Sequence, residues 1–118
     1  MAKLILKHDG INIKSYELDK PVTIIGRNSD CEVHIDDFAV SGEHAEIQSK
    51  SNPYLEQANE YTLIDLGSTN GTQVNEENVE SYLLKHGDII VIGKHEFTFD
   101  SGMPAEHQRT AIYLSEDD

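Results

Sequence analysis

The chain contains one cysteine, Cys31, only nine basic residues, and no apolar run approaching the length of a membrane-spanning helix. Each scarcity excludes something. A single cysteine allows neither an internal disulfide nor a cysteine-rich zinc site, and fits a reducing, cytoplasmic setting. The opening stretch, residues 1–7, is too short for a signal peptide, which points the same way. Nine Lys and Arg against twenty-two Asp and Glu leave a formal net charge of −13. Such a surface repels nucleic-acid backbone and anionic lipid, so neither nucleic acid nor membrane is an expected partner. Screening confines that field to about 8 Å at physiological salt, which leaves room for a local anion site. His8, His34, His86, His95 and His107 are scattered without metal-ligand spacing, and Asp36-Asp37 and Asp117-Asp118 lie in no EF-hand pattern. Neither a metal nor another cofactor is therefore expected. Cys31 sits among acidic residues that disfavour a thiolate, so a redox role has no support.

A helical period is also missing, and what fills the chain instead is short alternating or β-branched clusters separated by turn residues. With 118 residues, 37% of them hydrophobic, there is material for one core. Leu4-Ile5-Leu6 is closed by Asp9-Gly10, and Ile11 to Leu18 alternates as a half-buried strand should. Val22 to Ile25, Glu32 to Ile35 and Ala45 to Gln48 follow, then a surface loop or long hairpin end over 49–60. Tyr61 to Asp65, Gln73-Val74-Asn75, Tyr82-Leu83-Leu84, Ile89 to Gly93 and His95 to Asp100 complete the series. The nearly continuous run Ile89-Ile90-Val91-Ile92 predicts a strand buried on both faces. About ten to eleven short strands without helices predict an all-β sandwich, with a closed barrel as the architecture that periodicity leaves open. Residues 1–100 form the predicted domain. Residues 101–118, ending Ser115-Glu116-Asp117-Asp118, read as a flexible acidic tail.

Three connections carry more polar chemistry than turns require: Gly26-Arg27, Ser41 to His44, and Gly67 to Thr72. A rigid sandwich can present such loops together at one end. Pooled, they offer a guanidinium, hydroxyls, an amide and flexible backbone N–H groups. That inventory suits a phosphomonoester, which has close to two negative charges and three acceptor oxygens. The plainer reading of Gly67 to Thr72 is an Asn-Gly turn whose polar residues satisfy their own backbone.

Gly26-Arg27, Ser41-x-x-His44 and Asn70-Gly71 within Gly67-Ser68-Thr69-Asn70-Gly71-Thr72 together resemble the signature of the forkhead-associated (FHA) domain family. Val74-Asn75, Gly87-Asp88 and Ile92-Gly93 extend the resemblance, which runs from about Leu4 to Asp100. It implies a β-sandwich of two twisted, mainly antiparallel sheets and recognition of phosphothreonine in protein partners. By the same resemblance Arg27 contacts the phosphate, Ser41 donates its hydroxyl to a phosphate oxygen, and Asn70 bonds the partner's backbone. Thr69 contributes to that surface. Gly26 and His44 brace the loops, and Gly71 permits the turn.

One departure stands out. After the serine the family often has Arg, Lys or Asn, where this chain has Gly42, with Asp36, Asp37 and Glu43 close by. Weaker phosphopeptide binding, or a partner that brings its own basic residues, is the expected consequence. The expected role is a signalling adaptor downstream of a Ser/Thr kinase, binding a phosphothreonine-containing protein such as the kinase or its substrate. The competing class is a phosphate-independent interaction module or structural subunit that keeps the fold. Ser41 and His44 lack an orienting carboxylate and a nucleophile elbow, so an enzyme is not expected. Thr110 in the tail is a candidate phospho-acceptor, through which a phosphorylated tail would occupy the domain's own site.

Overall fold

The computed structural model describes residues 2–51 and 59–102. The tail beyond Gly102, with Thr110 and His107, and the segment 52–58 lie outside the described residues. Eleven strands run in chain order: β1 (Lys3–His8), β2 (Ile11–Glu17), β3 (Val22–Gly26), β4 (Val33–His34), β5 (Ala45–Ser51), β6 (Asn59–Asp65), β7 (Thr72–Val74), β8 (Glu77–Asn78), β9 (Ser81–Leu83), β10 (Ile89–Ile92) and β11 (His95–Asp100). They form two sheets, ordered β2-β1-β11-β10-β7-β8 and β4-β3-β5-β6-β9. Pairing is antiparallel except between β3 and β4. Each sheet has open edges, so the architecture is a sandwich and not a closed barrel. Among the described residues no helix is long and apolar enough to cross a membrane.

The core follows from period-two alternation. In β1 and β11 the pairs Leu4↔Phe99 and Leu6↔Phe97 point inward, while Lys3↔Asp100 and Lys7↔Glu96 line the outer face. The facing sheet contributes Ile25, Ala45, Ile47 and Leu63, all fully buried. Tyr61 meets Phe99 across the sandwich with ring centroids 5.5 Å apart at 55°, a tilted aromatic pair between the two layers. Burying a side chain such as Phe97 or Ile90 stabilises the fold by roughly 1.5–3 kcal/mol.

Several sequence expectations need correction. β10 is not buried on both faces: Ile90 and Ile92 are enclosed, whereas Ile89 is 38% exposed. Among the described residues the outer face of its sheet has no covering layer, so β-branched residues there serve the pleated strand and not a second core. β2 is an edge strand, and Ile11 and Ile13 point outward, 68% and 58% exposed, leaving only Tyr16 partly packed against the core. Asn75 is not in a strand. With Glu76 it forms a tight turn at φ of 51° and 74°, and β7 and β8 pair on either side of it. The Asp9-Gly10 turn matches its expectation, with φ of 52° and 77°. The hairpin of β5 and β6 is longer than the predicted strands, pairing as far as Ser51↔Asn59.

Candidate functional site

The three polar connections converge because backbone bonds sew them together beyond the ends of the strands. His44 N–H donates to Ile25 C=O at 2.8 Å, Arg27 N–H to Ser41 C=O at 3.0 Å, and Asn28 N–H to Gly42 C=O at 3.1 Å. These bonds continue the β3–β5 pairing into the loops. Contact is so close that a Cβ on Gly26 would lie 2.2 Å from the Gly42 carbonyl oxygen. Only glycine fits at position 26.

His44 is wholly buried and ties the second loop to the third. Its Nδ1 accepts the Ser41 N–H at 3.0 Å, and its Nε2 lies 2.8 Å from the Gly71 carbonyl oxygen. Nδ1 faces a donor, so the hydrogen sits on Nε2 and is given to Gly71. Both ring nitrogens are thereby committed to backbone. Neither is left to take a proton from Ser41 Oγ, and no Ser–His dyad forms. Gly71 lies at φ +85°, the left-handed region its turn requires.

The third loop is folded by its own side chains and then docked. Asp65 accepts the Ser68 N–H at 2.7 Å and the Ser68 hydroxyl at 2.8 Å, while Ser68 Oγ accepts the Gly71 N–H at 2.9 Å. Burial pushes the Asp65 carboxyl up, but the bonds from Ser68 outweigh it and leave the group below the usual carboxylate range. Besides the His44 bond to Gly71, two bonds dock it: Thr69 N–H to Ser41 Oγ at 3.0 Å, and Asn70 Nδ2 to Ala39 C=O at 2.8 Å. The self-satisfying turn and the outward-facing surface are both present, divided between residues. Ser68 and Asp65 hold the turn, and Thr69 and Asn70 remain exposed.

Among the described residues, the side chains singled out in the sequence lie together at this end of the sandwich. Ser41 Oγ is used as an acceptor, so its hydrogen is available to a ligand oxygen. Asn70 keeps Oδ1 and one amide hydrogen. Arg27 is exposed, and among the described residues no carboxylate forms an ion pair with it. Its guanidinium carbon lies 5.3 Å from the ring centroid of Phe38, which is itself 94% exposed. Sequence reasoning missed Phe38, a lone aromatic in an irregular loop. That loop is braced by Asp37, whose carboxylate accepts the Ala39 N–H and lies 2.9 Å from His95 Nε2. The Ala39 N–H and then His95 hold the Asp37 carboxyl below its ordinary value. Beside the third loop opens a cleft of about 360 Å³ lined by Asp65, Gly67, Ser68 and Glu80.

The more distant motif residues are architectural. Asn75 Nδ2 donates to Asp88 Oδ1 and Asn75 Oδ1 accepts the Ile89 N–H, both at 3.0 Å, while Asp88 Oδ2 accepts the Lys85 N–H at 2.7 Å. This network fixes the turn after β7 to the connection before β10. Cys31 is buried, its thiol pushed up first by that burial and then by Asp30 and Glu43, and Sγ reaches the Gly42 carbonyl oxygen at 3.4 Å.

Comparison with known proteins agrees with this geometry. The family model for the FHA domain matches residues 23–93. The glycogen accumulation regulator GarA of Mycobacterium tuberculosis is 37% identical over 101 residues, covering 86% of this chain and 58% of that protein. The chain thus spans somewhat over half the length of that relative. The oxoglutarate dehydrogenase inhibitor of Corynebacterium efficiens is 36% identical over 104 residues, covering 88% of this chain and 68% of that one. Among solved structures, the yeast Dun1 FHA domain in complex with a doubly phosphorylated (pT) peptide derived from Rad53 superposes with a TM-score of 0.72 at 32% identity, covering 87% of this chain and 77% of that one. Sandwich, loop bracing and sequence signature agree, and the chain belongs to the FHA domain family.

Proposed function

We propose that the loop end binds a phosphothreonine-bearing segment of a partner protein, and that the chain is a non-catalytic adaptor acting downstream of a Ser/Thr kinase. The observation that carries this reading is that Arg27, Ser41, Thr69 and Asn70 lie on hydrogen-bonded connections at one end of the sandwich, with the Ser41 hydroxyl hydrogen uncommitted. Arg27 supplies the charge-assisted contact to phosphate, Ser41 a hydroxyl donor, and Asn70 a hold on the partner's main chain. Thr69 lies beside them. Gly26, His44 and Gly71 set the loop positions and do not touch the ligand. Relatives solved with phosphopeptides support the reading, the yeast Dun1 domain among them. A cytoplasmic location suits a kinase-linked role.

A net charge of −13 and the acid-lined cleft favour a partner with basic residues close to its phosphothreonine. Raising salt then weakens binding more than the single Arg27–phosphate contact alone would require. Phosphorylated Thr110 of the tail is a second candidate occupant, in which case modification of Thr110 blocks external peptides. The test of the main reading is titration of phosphothreonine, phosphoserine and unphosphorylated peptides against wild type and Arg27→Ala. Selective binding that the variant loses supports it.

One observation favours a second reading. Ile11 and Ile13 lie exposed on the free edge strand β2, an opening for phosphate-independent contact through the sheet edge. Partner capture that survives Arg27→Ala and fails on Ile13→Lys would select it.

A further inference from the structure

Position 42, which follows Ser41, carries no side chain, yet the space beside it is filled. A Cβ built on Gly42 would lie 2.9 Å from Asn28 Oδ1, 3.2 Å from Asn28 Nδ2 and 3.3 Å from Asn28 Cγ. The amide of Asn28 therefore stands where a side chain from 42 would begin. The Asn28 main chain is fixed beside it: Asn28 N–H donates to Gly42 C=O at 3.1 Å, and Asn28 C=O accepts the Cys31 N–H at 3.1 Å. Arg27, the preceding residue, is bonded through its own N–H to Ser41 C=O. Arg27, Asn28, Ser41 and Gly42 thus form one contiguous edge.

The Asn28 side chain is exposed, and among the described residues its amide has no hydrogen-bond partner. A primary amide offers two donors and an acceptor. The ordinary account of such a residue is a solvated turn asparagine. Two features speak against it. At this end of the sandwich the side chains of Ser41, Ser68 and Asn70 bond a neighbouring loop or their own turn, whereas Asn28 groups with Arg27 and Thr69, exposed and without a side-chain hydrogen bond among the described residues. Moreover, glycine at 42 is not required by its backbone, because its φ lies outside the left-handed region. Glycine there has a different effect: it leaves room for the Asn28 amide.

We propose that Asn28 is a ligand-contacting residue of the phosphothreonine site, donating from Nδ2 to an oxygen of the bound segment, and that Gly42 is the vacancy that admits it. The donor that a side chain at 42 would have supplied comes instead from the facing segment, one residue after Arg27. This rests on the reading of the loop end as a phosphothreonine site. It also removes the expectation that Gly42 by itself must weaken binding.

The test is a four-variant titration with one phosphothreonine peptide: wild type, Asn28→Ala, Gly42→Asn, and the double variant Asn28→Ala/Gly42→Asn. Thermal unfolding of each serves as the folding control. Loss of one neutral donor weakens binding about three- to tenfold in Asn28→Ala, without a matching fall in melting temperature. Gly42→Asn also binds more weakly, because two side chains then claim one place. The double variant recovers most of the wild-type affinity, since an amide again occupies the space. Repeating the titration with free phosphothreonine separates the acceptors: a loss on both ligands marks a phosphate oxygen, a loss on the peptide alone marks a main-chain oxygen, and either agrees with the proposal. Asn28→Ala within twofold of wild type, or a double variant no tighter than Asn28→Ala, overturns it. Wild type without any preference for phosphothreonine is a separate outcome, which overturns the underlying reading and this one with it.

Discussion

Replacing His44 with alanine removes a buried side chain that bonds both the Ser41 loop and the Gly71 loop. Two backbone groups lose their partner at once: the Ser41 N–H, which gave to Nδ1, and the Gly71 carbonyl, which accepted from Nε2. His44 is fully buried, and each group left without its partner costs about 1–3 kcal/mol. The emptied ring space adds to that. Together these give a loss of about 3–5 kcal/mol, a large part of the roughly 5–15 kcal/mol that holds a typical domain. At about 4–8 °C per kcal/mol, the melting temperature of a domain this small falls by roughly 15 °C or more. Urea unfolding followed by circular dichroism reads the free energy directly. Phosphopeptide affinity should fall as well under conditions where the variant is still folded, because Ser41 and Asn70 are no longer held in register. A variant within about 1 kcal/mol of wild type would show that the imidazole bridge does not organise the loops.

Gly26→Ala places a methyl 2.2 Å from the Gly42 carbonyl oxygen, so the 41–44 segment must move; the expected loss is about 2–4 kcal/mol by chemical unfolding, together with weakened phosphopeptide binding, and an unchanged midpoint would contradict the close approach. Glu76→Gly relieves a left-handed residue in the turn after Asn75 and creates the favoured Asn-Gly pair, so stability should rise by about 0.5–1 kcal/mol; a decrease would argue against that turn geometry. Asp65 is held below its ordinary carboxylate range, so its contribution is complete above the unfolded value of about 3.9 and is lost as pH falls through the lower folded value. Asp65→Asn should therefore be less stable than wild type at pH 7, with the gap narrowing as pH falls below about 3.9, whereas a constant gap would show that the carboxylate is not what Ser68 stabilises.

Much of the fold was legible because antiparallel strands with one buried face write their alternation into the sequence. Leu4 and Leu6, Ile47 and Leu63, Phe97 and Phe99 are spaced by two, and they point inward. The misreadings arose where pattern and environment part. Ile89 and Val91 look like core residues, but among the described residues nothing covers the outside of their sheet, and Ile11 and Ile13 alternate on an edge strand with little to pack against. The Asn75-Glu76 turn was missed because only one of its residues is a usual left-handed type. At the loop end Arg27, Ser41, His44 and Asn70, which the signature singles out, lie on connections that the fold bonds to one another. Residue types suggested a self-satisfying turn over Gly67 to Thr72 but did not single out Asp65 as its partner, and gave no hint that Phe38 stands clear of the surface beside Arg27. Asn28 was illegible for a stronger reason. Its meaning depends on the pairing of 26–28 with 41–44, a tertiary contact that sequence spacing does not contain.

Binding of a phosphothreonine peptide library by wild type and by Arg27→Ala, with phosphoserine and unphosphorylated versions alongside, tests the central claim most directly. The account predicts selection for phosphothreonine by wild type and a loss of about tenfold or more in the variant, as expected when a charge-assisted contact worth about 1.5–3 kcal/mol is removed from a site that otherwise stays folded. Equal capture of phosphorylated and unphosphorylated peptides by wild type, unaltered in a folded Arg27→Ala, would contradict it and move the interaction surface away from the loop end.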